Sequence, residues 1–197
     1  MTEKGRLPLF YCLDFRLIAA CWPACSFLQG SLLQYRIMRI EVSTQQQTLT
    51  VLDDDGELVA QYPVSTALNG VGQVKGSYQT PLGRHIIRAK IGADAEPNTV
   101  FVGRRPTGEI WSPELGAEHP GRDWMLTRIL WLSGCEPGFN RLGNVDTMQR
   151  YVYIHGAPDT AEMGKIGSHG CVRMHNDDVI ALFDMVQAGT PVLISDE

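Results

Sequence analysis

A run of alternating apolar and polar residues constrains this chain more than any other feature. It covers residues 39–66 and reads RIEVSTQQQTLTVLDDDGELVAQYPVST, with many β-branched residues. Successive side chains of a β-strand point to opposite faces, so this alternation predicts strands that bury one face. Asp55 and Gly56 separate the runs TLTVL and LVAQYPV, and an Asp-Gly pair in that setting is a strong signal for a hairpin. The folded region is therefore predicted to begin with antiparallel strands.

Further strand-like segments follow, and loops rich in Gly and Pro separate them. These segments are RHIIRAKIG, TVFVGRR, TRILWLSG, RYVYIHG and PVLI. One later segment has apolar residues at helical spacing. Asn176 is its candidate N-cap, and Asp177 and Asp178 lie in the first turn, where the helix dipole favours acidic groups. Gly189 and Pro191 end it. We therefore predict a mainly β fold with one clear helix in the C-terminal region.

The connection formed by residues 104–124 is long, rich in Gly and Pro, and contains two tryptophans. Loops of this length inside a compact domain are often lids or binding loops. We predict that this segment is a lid loop over the functional site. The Gly-rich stretch ALNGVGQVKGSYQTPLG is predicted to be a second loop.

Charge, hydropathy and cysteine content exclude several classes of protein. The formal net charge is −5, and the body of the chain has no basic cluster, so we expect no nucleic-acid partner. No apolar run reaches the roughly 18 residues that a membrane span needs, so we expect no stable span. The chain has 5 cysteines in 197 residues. This number is odd and the density is low, which does not fit a disulfide scaffold.

Residues 1–37 are predicted to lie outside the folded domain, which then comprises residues 38–197. The early segment LPLFYCLDFRLIAACWPACSFLQG follows basic residues and ends in small ones, as secretion signals do. Asp14 and Arg16 interrupt its apolar stretch. Two interpretations stay open: a degenerate export signal, or sequence upstream of a true start at Met38.

The segment KIGSHGCVRMHNDD concentrates reactive side chains, and YVYIHG lies sixteen positions before its cysteine. A cysteine attacks as the thiolate, and a nearby imidazole can lower its pKa from about 8.5 to below 7. His155 ends a predicted strand, so it can serve as the base for Cys171 if the two strands are neighbours. This pattern favours nucleophilic catalysis.

The residues around Cys171 suit that chemistry. Gly156 and Gly170 allow the backbone to approach a ligand closely. Two successive N–H groups near Cys171 would stabilise a developing oxyanion, at about 3 kcal/mol per donor. Arg173 lies on the same face as the cysteine if the segment is extended, and a guanidinium there suits a substrate carboxylate.

Other interpretations of these residue types remain. A lone cysteine is more often a small buried apolar residue than a nucleophile, and for Cys135 we expect packing in the core or a loop. His85 and His119 are expected to be surface histidines, and Asp53–Asp55 a solvated turn. Zinc is a further possibility for the set His155, His169, Cys171 and His175.

The combination HG…SHGCVRM resembles the signature of the L,D-transpeptidase catalytic domain, also called the YkuD domain. The segments YPVSTALNG…GSYQTPLGRHII and RMHNDDVIALFDMVQAGTPVLI resemble other parts of that family, so the resemblance covers most of residues 38–195. It implies a β-sandwich of mixed sheets with a lid over the cysteine. It also implies an enzyme that cuts the bond between the third residue and the terminal D-Ala of a peptidoglycan tetrapeptide stem.

The same resemblance implies roles for individual residues and no metal or organic cofactor. Cys171 would be the nucleophile and His155 the general base. The supporting residues would be Gly156, whose carbonyl holds the base, the hydroxyl of Ser168, the amides of His169, Gly170 and Cys171, and the substrate-binding Arg173.

The resemblance leaves the acceptor and the compartment open. Transfer of the thioester to an amine gives a 3–3 cross-link, and transfer to water makes the protein an L,D-carboxypeptidase of muropeptide recycling. The first activity implies the periplasm or cell envelope, and a start near Met38 implies the cytoplasm. Peptidoglycan stem peptides or muropeptides are the expected partners in both cases. A peptidoglycan-binding module without activity is disfavoured by the intact set of Cys, His and Arg.

Overall fold

The computed structural model describes residues 38–197, and the predictions made for residues 1–37 lie outside this range. Within it, the chain forms ten strands, two α-helices and one short 3-10 turn at Gly143–Val145. The strands are β1 (Arg39–Ser43), β2 (Thr48–Leu52), β3 (Leu58–Pro63), β4 (Gly83–Ile91), β5 (Thr99–Val102), β6 (Arg105–Ile110), β7 (Met125–Gly134), β8 (Tyr153–Gly156), β9 (Val172–Met174) and β10 (Pro191–Ser195). The helices are α1 (Pro113–Glu118) and α2 (Asn176–Met185).

All ten strands join in one mixed sheet. Its main path runs β3-β2-β1-β10-β4-β7-β5-β6, and a branch from β7 adds β8 and then β9. β1 pairs with β10 and β8 with β9 in parallel, whereas the other pairs are antiparallel. The predicted mainly β fold with mixed pairing is confirmed. Because β8 pairs with β7, the branch and the main path form one continuous sheet. A sandwich of mixed sheets was expected from the sequence.

The predicted hairpin is present between β2 and β3, which pair antiparallel across the turn at Asp55-Gly56. Gly56 has a φ of +86°, which glycine adopts without strain. The prediction of a solvated turn holds for the exposed Asp54 and Asp55 and is wrong for Asp53. Asp53 is buried, and its Oδ1 accepts the N–H groups of Asp55 at 3.1 Å and Glu57 at 2.9 Å. Backbone donors explain why this carboxylate can be buried.

The predicted C-terminal helix is α2, but its predicted cap is wrong. The N-cap is His175, whose side chain makes no capping bond, and Asn176 is the first helical residue. The Asn176 side chain is buried and engaged elsewhere: its Oδ1 accepts from Thr127 Oγ1 at 2.5 Å, and its Nδ2 donates to the Ala157 carbonyl at 3.1 Å. Asn176 thus ties α2 to β7 and to the chain after β8, because tertiary partners satisfy its amide.

The segment 104–124 is more ordered than a loop, which corrects the sequence prediction. It contains the edge strand β6 and the short helix α1, capped by Ser112, whose Oγ accepts the Leu115 N–H at 3.3 Å. Trp111 and Trp124 are buried with Val100 and Leu126 in a small core separate from the main one. Two anchored tryptophans therefore fix both ends of the second half of this segment.

The main core lies between the sheet and α2. It contains residues from β1, β2, β4, β7, β8, β9, α2 and β10, including the fully buried Leu49, Ile87, Leu130, Ile154 and Leu182. Fully burying an aliphatic side chain of this size contributes about 1.5–3 kcal/mol. Packing from both sides makes β8 and β9 a rigid support for the residues at their ends. Within residues 38–197, no helix combines the length and hydropathy that membrane crossing requires.

Candidate active site

Cys171 and His155 are carried by neighbouring strands. β8 and β9 pair in parallel, with Ile154 opposite Val172 and His155 opposite Arg173. Cys171 directly precedes β9, and its half-buried side chain packs against the cluster formed by Phe101, Ile129 and Tyr153. The His155 side chain is buried, with 1% of its surface exposed. The condition set by the sequence analysis, that the two strands are neighbours, is met.

The sulfur of Cys171 lies against backbone polar groups. The Tyr153 N–H donates to Sγ at 3.4 Å, and the thiol faces the Tyr151 carbonyl at 3.7 Å. Burial raises the pKa of the Cys171 thiol to about 12, and the Asp123 carboxylate adds to this effect. The Tyr153 N–H and the Arg173 and Arg150 guanidinium groups oppose it only in part. Burial of the sulfur therefore favours the thiol over the thiolate in the resting protein.

His155 is oriented by its own strand. Its Nδ1 lies 2.8 Å from the Gly156 carbonyl oxygen, an acceptor only, so Nδ1 carries the proton and Nε2 is the basic nitrogen. Burial lowers the pKa of His155, although the Gly156 carbonyl and Asp123 act in the opposite direction. Burial thus favours the neutral form of both the thiol and the imidazole. The proton has to leave Cys171 during attack on a substrate, which is general-base catalysis.

Two glycines, Gly156 and Gly170, occupy positions beside His155 and Cys171 that a larger residue would not fit. A Cβ on Gly156 would lie 2.5 Å from Asn176 Oδ1 and 2.8 Å from the Leu126 carbonyl oxygen. Gly170 has a φ of +122°, a conformation that other residues rarely adopt. The site therefore needs glycine directly after His155 and directly before Cys171.

Ser168 holds the turn before Cys171. Its buried Oγ donates to the Cys171 carbonyl at 2.5 Å and accepts the Gly170 N–H at 3.2 Å. The Gly170 N–H is therefore occupied, and Gly170 contributes its conformation instead of a donor. In the described part of the chain, the N–H groups of His169 and Cys171 have no protein acceptor. These two are the amides available to an oxyanion.

Thr80 is a site residue that the sequence interpretation missed. It is fully buried, and its Oγ1 accepts the Ala67 N–H at 3.0 Å and donates to the Gly170 carbonyl at 3.2 Å. This bond fixes the peptide plane between Gly170 and Cys171, and with it the direction of the Cys171 N–H. Thr80 lies in a segment that carried only the family resemblance, and no local pattern signals its contact 90 positions away.

Arg173 is not free to act as the predicted substrate cation. Its Nη2 pairs with Asp123 Oδ1, and its Nη1 donates to the Gly167 carbonyl at 3.0 Å. His169 Nδ1 lies 3.4 Å from the other oxygen of Asp123. Burial would raise the pKa of Asp123, but Arg173, His155 and His169 hold it below its usual value. Arg173 thus anchors the end of the 104–124 segment beside the nucleophile.

A cavity of about 260 Å³ opens beside Cys171. Its wall is formed by the predicted Gly-rich loop together with the residues before β8. Arg150 holds this wall in place: it donates to the carbonyls of Gly72 at 3.0 Å, Gln73 at 2.9 Å and Gln79 at 2.5 Å. The lining residues are Lys75, Gly76, Tyr78, Gln149, Arg150, Tyr151, Val152, His169, Gly170 and Cys171.

The remaining candidate residues lie elsewhere. A larger cavity of about 480 Å³, lined by β1, β4 and β10, includes Cys135 and His85 but neither Cys171 nor His155. Cys135 is half-buried there, in agreement with the packing role predicted for it. The prediction of a surface histidine is wrong for His85: it is buried, bonds Gly83 and Thr147, and burial lowers its pKa to about 4. His119 is exposed, as predicted.

The zinc interpretation is not supported by the geometry. Among the described residues, Asp53–Asp55 are the only His, Cys, Asp or Glu side chains close enough to share a metal ion. The ligand atoms of the proposed zinc set do not lie close enough together to share an ion; this set is His155, His169, Cys171 and His175. In the structure, His155 is turned toward Gly156 and His169 toward Asp123.

Known proteins resemble this chain in sequence. The family profile described as the L,D-transpeptidase catalytic domain, YkuD, matches residues 37–194. YkuD of Bacillus licheniformis is 29% identical over 157 residues, which cover 80% of this chain and 65% of the relative. YqjB of Bacillus subtilis is 45% identical over 60 residues, 30% of this chain and 32% of the relative. The chain therefore spans less than two thirds of the length of these curated relatives.

Solved structures share the fold at low identity. The structure of Bd1075 from Bdellovibrio bacteriovorus matches with a TM-score of 0.52 and 18% identity, over 82% of this chain and 49% of that one. L,D-transpeptidase 3 from Mycobacterium tuberculosis, in complex with a faropenem-derived adduct, matches with a TM-score of 0.50 and 19% identity, over 81% and 60%. At these identities the likeness establishes the fold alone.

Proposed function

The chain belongs to the L,D-transpeptidase catalytic-domain family, and on that basis we propose that it is a cysteine-dependent L,D-transpeptidase of peptidoglycan. The observation that carries the proposal is the placement of Cys171 beside the strand of His155, at the edge of an open cavity of about 260 Å³. A thiol and an oriented imidazole next to a cavity suit acyl transfer. Because this substrate is part of the cell wall, the protein would act in the periplasm or cell envelope.

In the first half-reaction, Cys171 Sγ attacks the carbonyl carbon of the third stem residue, and its proton passes to His155 Nε2. The bond from this carbonyl carbon to the nitrogen of D-Ala then breaks, and the proton on His155 goes to the leaving amine. A thioester between Cys171 and the stem remains. The neutral resting pair supports this order of events, because charge develops only when a substrate is present.

The oxyanion of the tetrahedral intermediate is proposed to bind the N–H groups of His169 and Cys171. Ser168 and Thr80 hold the turn that carries these donors. Because the turn is fixed before substrate binds, the donors need no reorganisation during the reaction, and each contributes about 3 kcal/mol.

In the second half-reaction, the amine of another stem attacks the thioester. Its proton passes through His155 to the departing sulfur, which restores the thiol and leaves a 3–3 cross-link. Attack by water on the same thioester would instead make the protein an L,D-carboxypeptidase. The residues named above serve both reactions, so product analysis has to decide between them.

The test incubates the full-length protein with a tetrapeptide muropeptide and follows products by mass spectrometry. A 3–3 dimer, with a transient tripeptide adduct on Cys171, is expected. Tripeptide without dimer would replace the proposal by hydrolysis, and the absence of both products and adduct would overturn both activities. Cys171→Ala should abolish adduct and product, whereas the matched variant Cys135→Ala should retain both.

A further inference from the structure

The cationic side chains near Cys171 differ in what already occupies them. Arg173 is paired with Asp123 and the Gly167 carbonyl, and Arg150 donates to three loop carbonyls. A substrate carboxylate would have to displace these partners. Arg104, at the turn between β5 and β6, is in a different situation.

Arg104 is held by aromatic rings. Its guanidinium carbon lies 4.4 Å from the ring centroid of Trp131 and 4.9 Å from that of Tyr151. Its Nη1 donates to the hydroxyl of Tyr153 at 2.9 Å. A guanidinium is attracted to the face of an aromatic ring, so the two rings and the hydroxyl together hold the group in one position.

The same two tyrosines contact the nucleophile. The Tyr153 N–H donates to Cys171 Sγ, and the Tyr151 carbonyl faces the thiol. Tyr151 also lines the cavity beside Cys171, and its side chain is 54% exposed. Arg104 therefore contacts both residues that touch the sulfur, and one of them, Tyr151, lines the cavity in which an acylated residue would lie.

Most of the hydrogen-bonding capacity of Arg104 is unused. A guanidinium has five N–H donors, and one bond, to Tyr153, is made. Over residues 38–197, no carboxylate forms an ion pair with Arg104. Its backbone has a φ of +68° because Gly103 and Arg104 form the two-residue turn between β5 and β6, a turn that requires positive φ at both positions.

We propose that Arg104 is a specificity-determining residue that binds a free carboxylate on the side chain of the acylated stem residue. This inference rests on the proposed function. A planar fork with unpaired donors recognises a carboxylate in two-point geometry, and a neutral carboxamide offers one acceptor oxygen in its place. The site therefore selects donors that carry the acid over donors that carry the amide.

The test measures kcat/KM for two tetrapeptide donors that differ only in a carboxylate or a carboxamide at that side chain. The wild-type protein should prefer the acid by about ten- to hundredfold, the range of a charge-assisted hydrogen bond. Arg104→Gln should reduce this ratio to near one, mainly by slowing the acid donor. Arg104→Lys should keep part of it.

Arg88→Gln is the matched control, because Arg88 also lies over the Trp131 ring, at 5.6 Å, without a contact to either tyrosine. It should leave the preference unchanged. A purely structural role for Arg104 would lower turnover of both donors equally, and that result would overturn the inference, as would a ratio unaffected by Arg104→Gln. Failure of the proposed function would be distinct, since the wild type would then turn over neither donor.

Discussion

The strand pair β8–β9 and the connection from β5 to β7 meet at one cleft but are built differently. All four residues of β8 are buried, and β9 lies beside it. In the connection, five of the six β6 residues are exposed, and order comes from Trp111 and Trp124. The first region carries the proposed reactive pair, and the second supplies Asp123, which pairs with Arg173, and Arg104, which contacts Tyr151 and Tyr153. Buried strands thus suit the chemistry, whereas an exposed, anchored segment suits recognition.

The largest expected effect comes from changing His155, the proposed base on β8. His155→Gln removes the basic nitrogen while keeping a side chain of similar size, and should lower kcat/KM by about 10²–10⁴-fold. Thioester formation measured by stopped-flow mass spectrometry would locate the loss in the acylation step. Comparable rates for the variant and the wild type would mean that His155 is not the base.

The pH dependence tests the neutral thiol–imidazole pair. Because burial raises the Cys171 pKa to about 12, alkylation of this thiol without donor should keep rising above pH 9, with no plateau near the usual value. Because burial lowers the pKa of His155, acylation should decline only at a pH below the range in which histidine usually titrates. Mass-resolved alkylation of the Cys171 peptide and a pH profile of kcat/KM measure the two limbs. A thiol plateau below pH 8 would contradict the neutral pair.

The contact between the two regions should have an intermediate effect. Asp123→Asn removes the charge that holds Arg173. It should lower kcat/KM by roughly tenfold, because the 104–124 segment loses its ion pair with β9. Arg173→Gln should act similarly. The double variant should be no worse than either single variant, which a double-mutant cycle on kcat/KM would measure. Fully additive losses would show that the two residues act independently.

The smallest expected effect lies on the exposed side of the connection. Glu109 accepts from Arg122 at 2.7 Å, and the Arg122 and Thr107 donors lower its pKa to about 2. The pair is partly exposed to water, with 28% and 36% of the two side chains accessible, so Glu109→Gln should lower the midpoint of thermal unfolding only slightly and leave kcat/KM unchanged. A clear loss of activity would mean that this side of the segment also takes part in recognition.

Local patterns predicted the parts of the fold that depend on neighbouring residues. The hairpin at Asp55-Gly56 and the helix α2 follow from turn chemistry and apolar spacing, and both are confirmed. The N-cap was placed one residue too late, since Asn176 bonds Thr127 and Ala157 instead of its own helix. The burial of His85 was missed for the same kind of reason, because its partner Thr147 is 62 positions away.

The sequence by itself determined the strand pattern, the family signature and the choice of Cys171 and His155 as the reactive pair. Only the tertiary structure decided that burial favours the neutral thiol, that Arg173 is paired with Asp123, and that Arg104 contacts Tyr151 and Tyr153. Residue types and short spacings are written along the chain, so they can be read from it. Burial and long-range pairing set the charge of each group, and these exist only after distant segments have packed together.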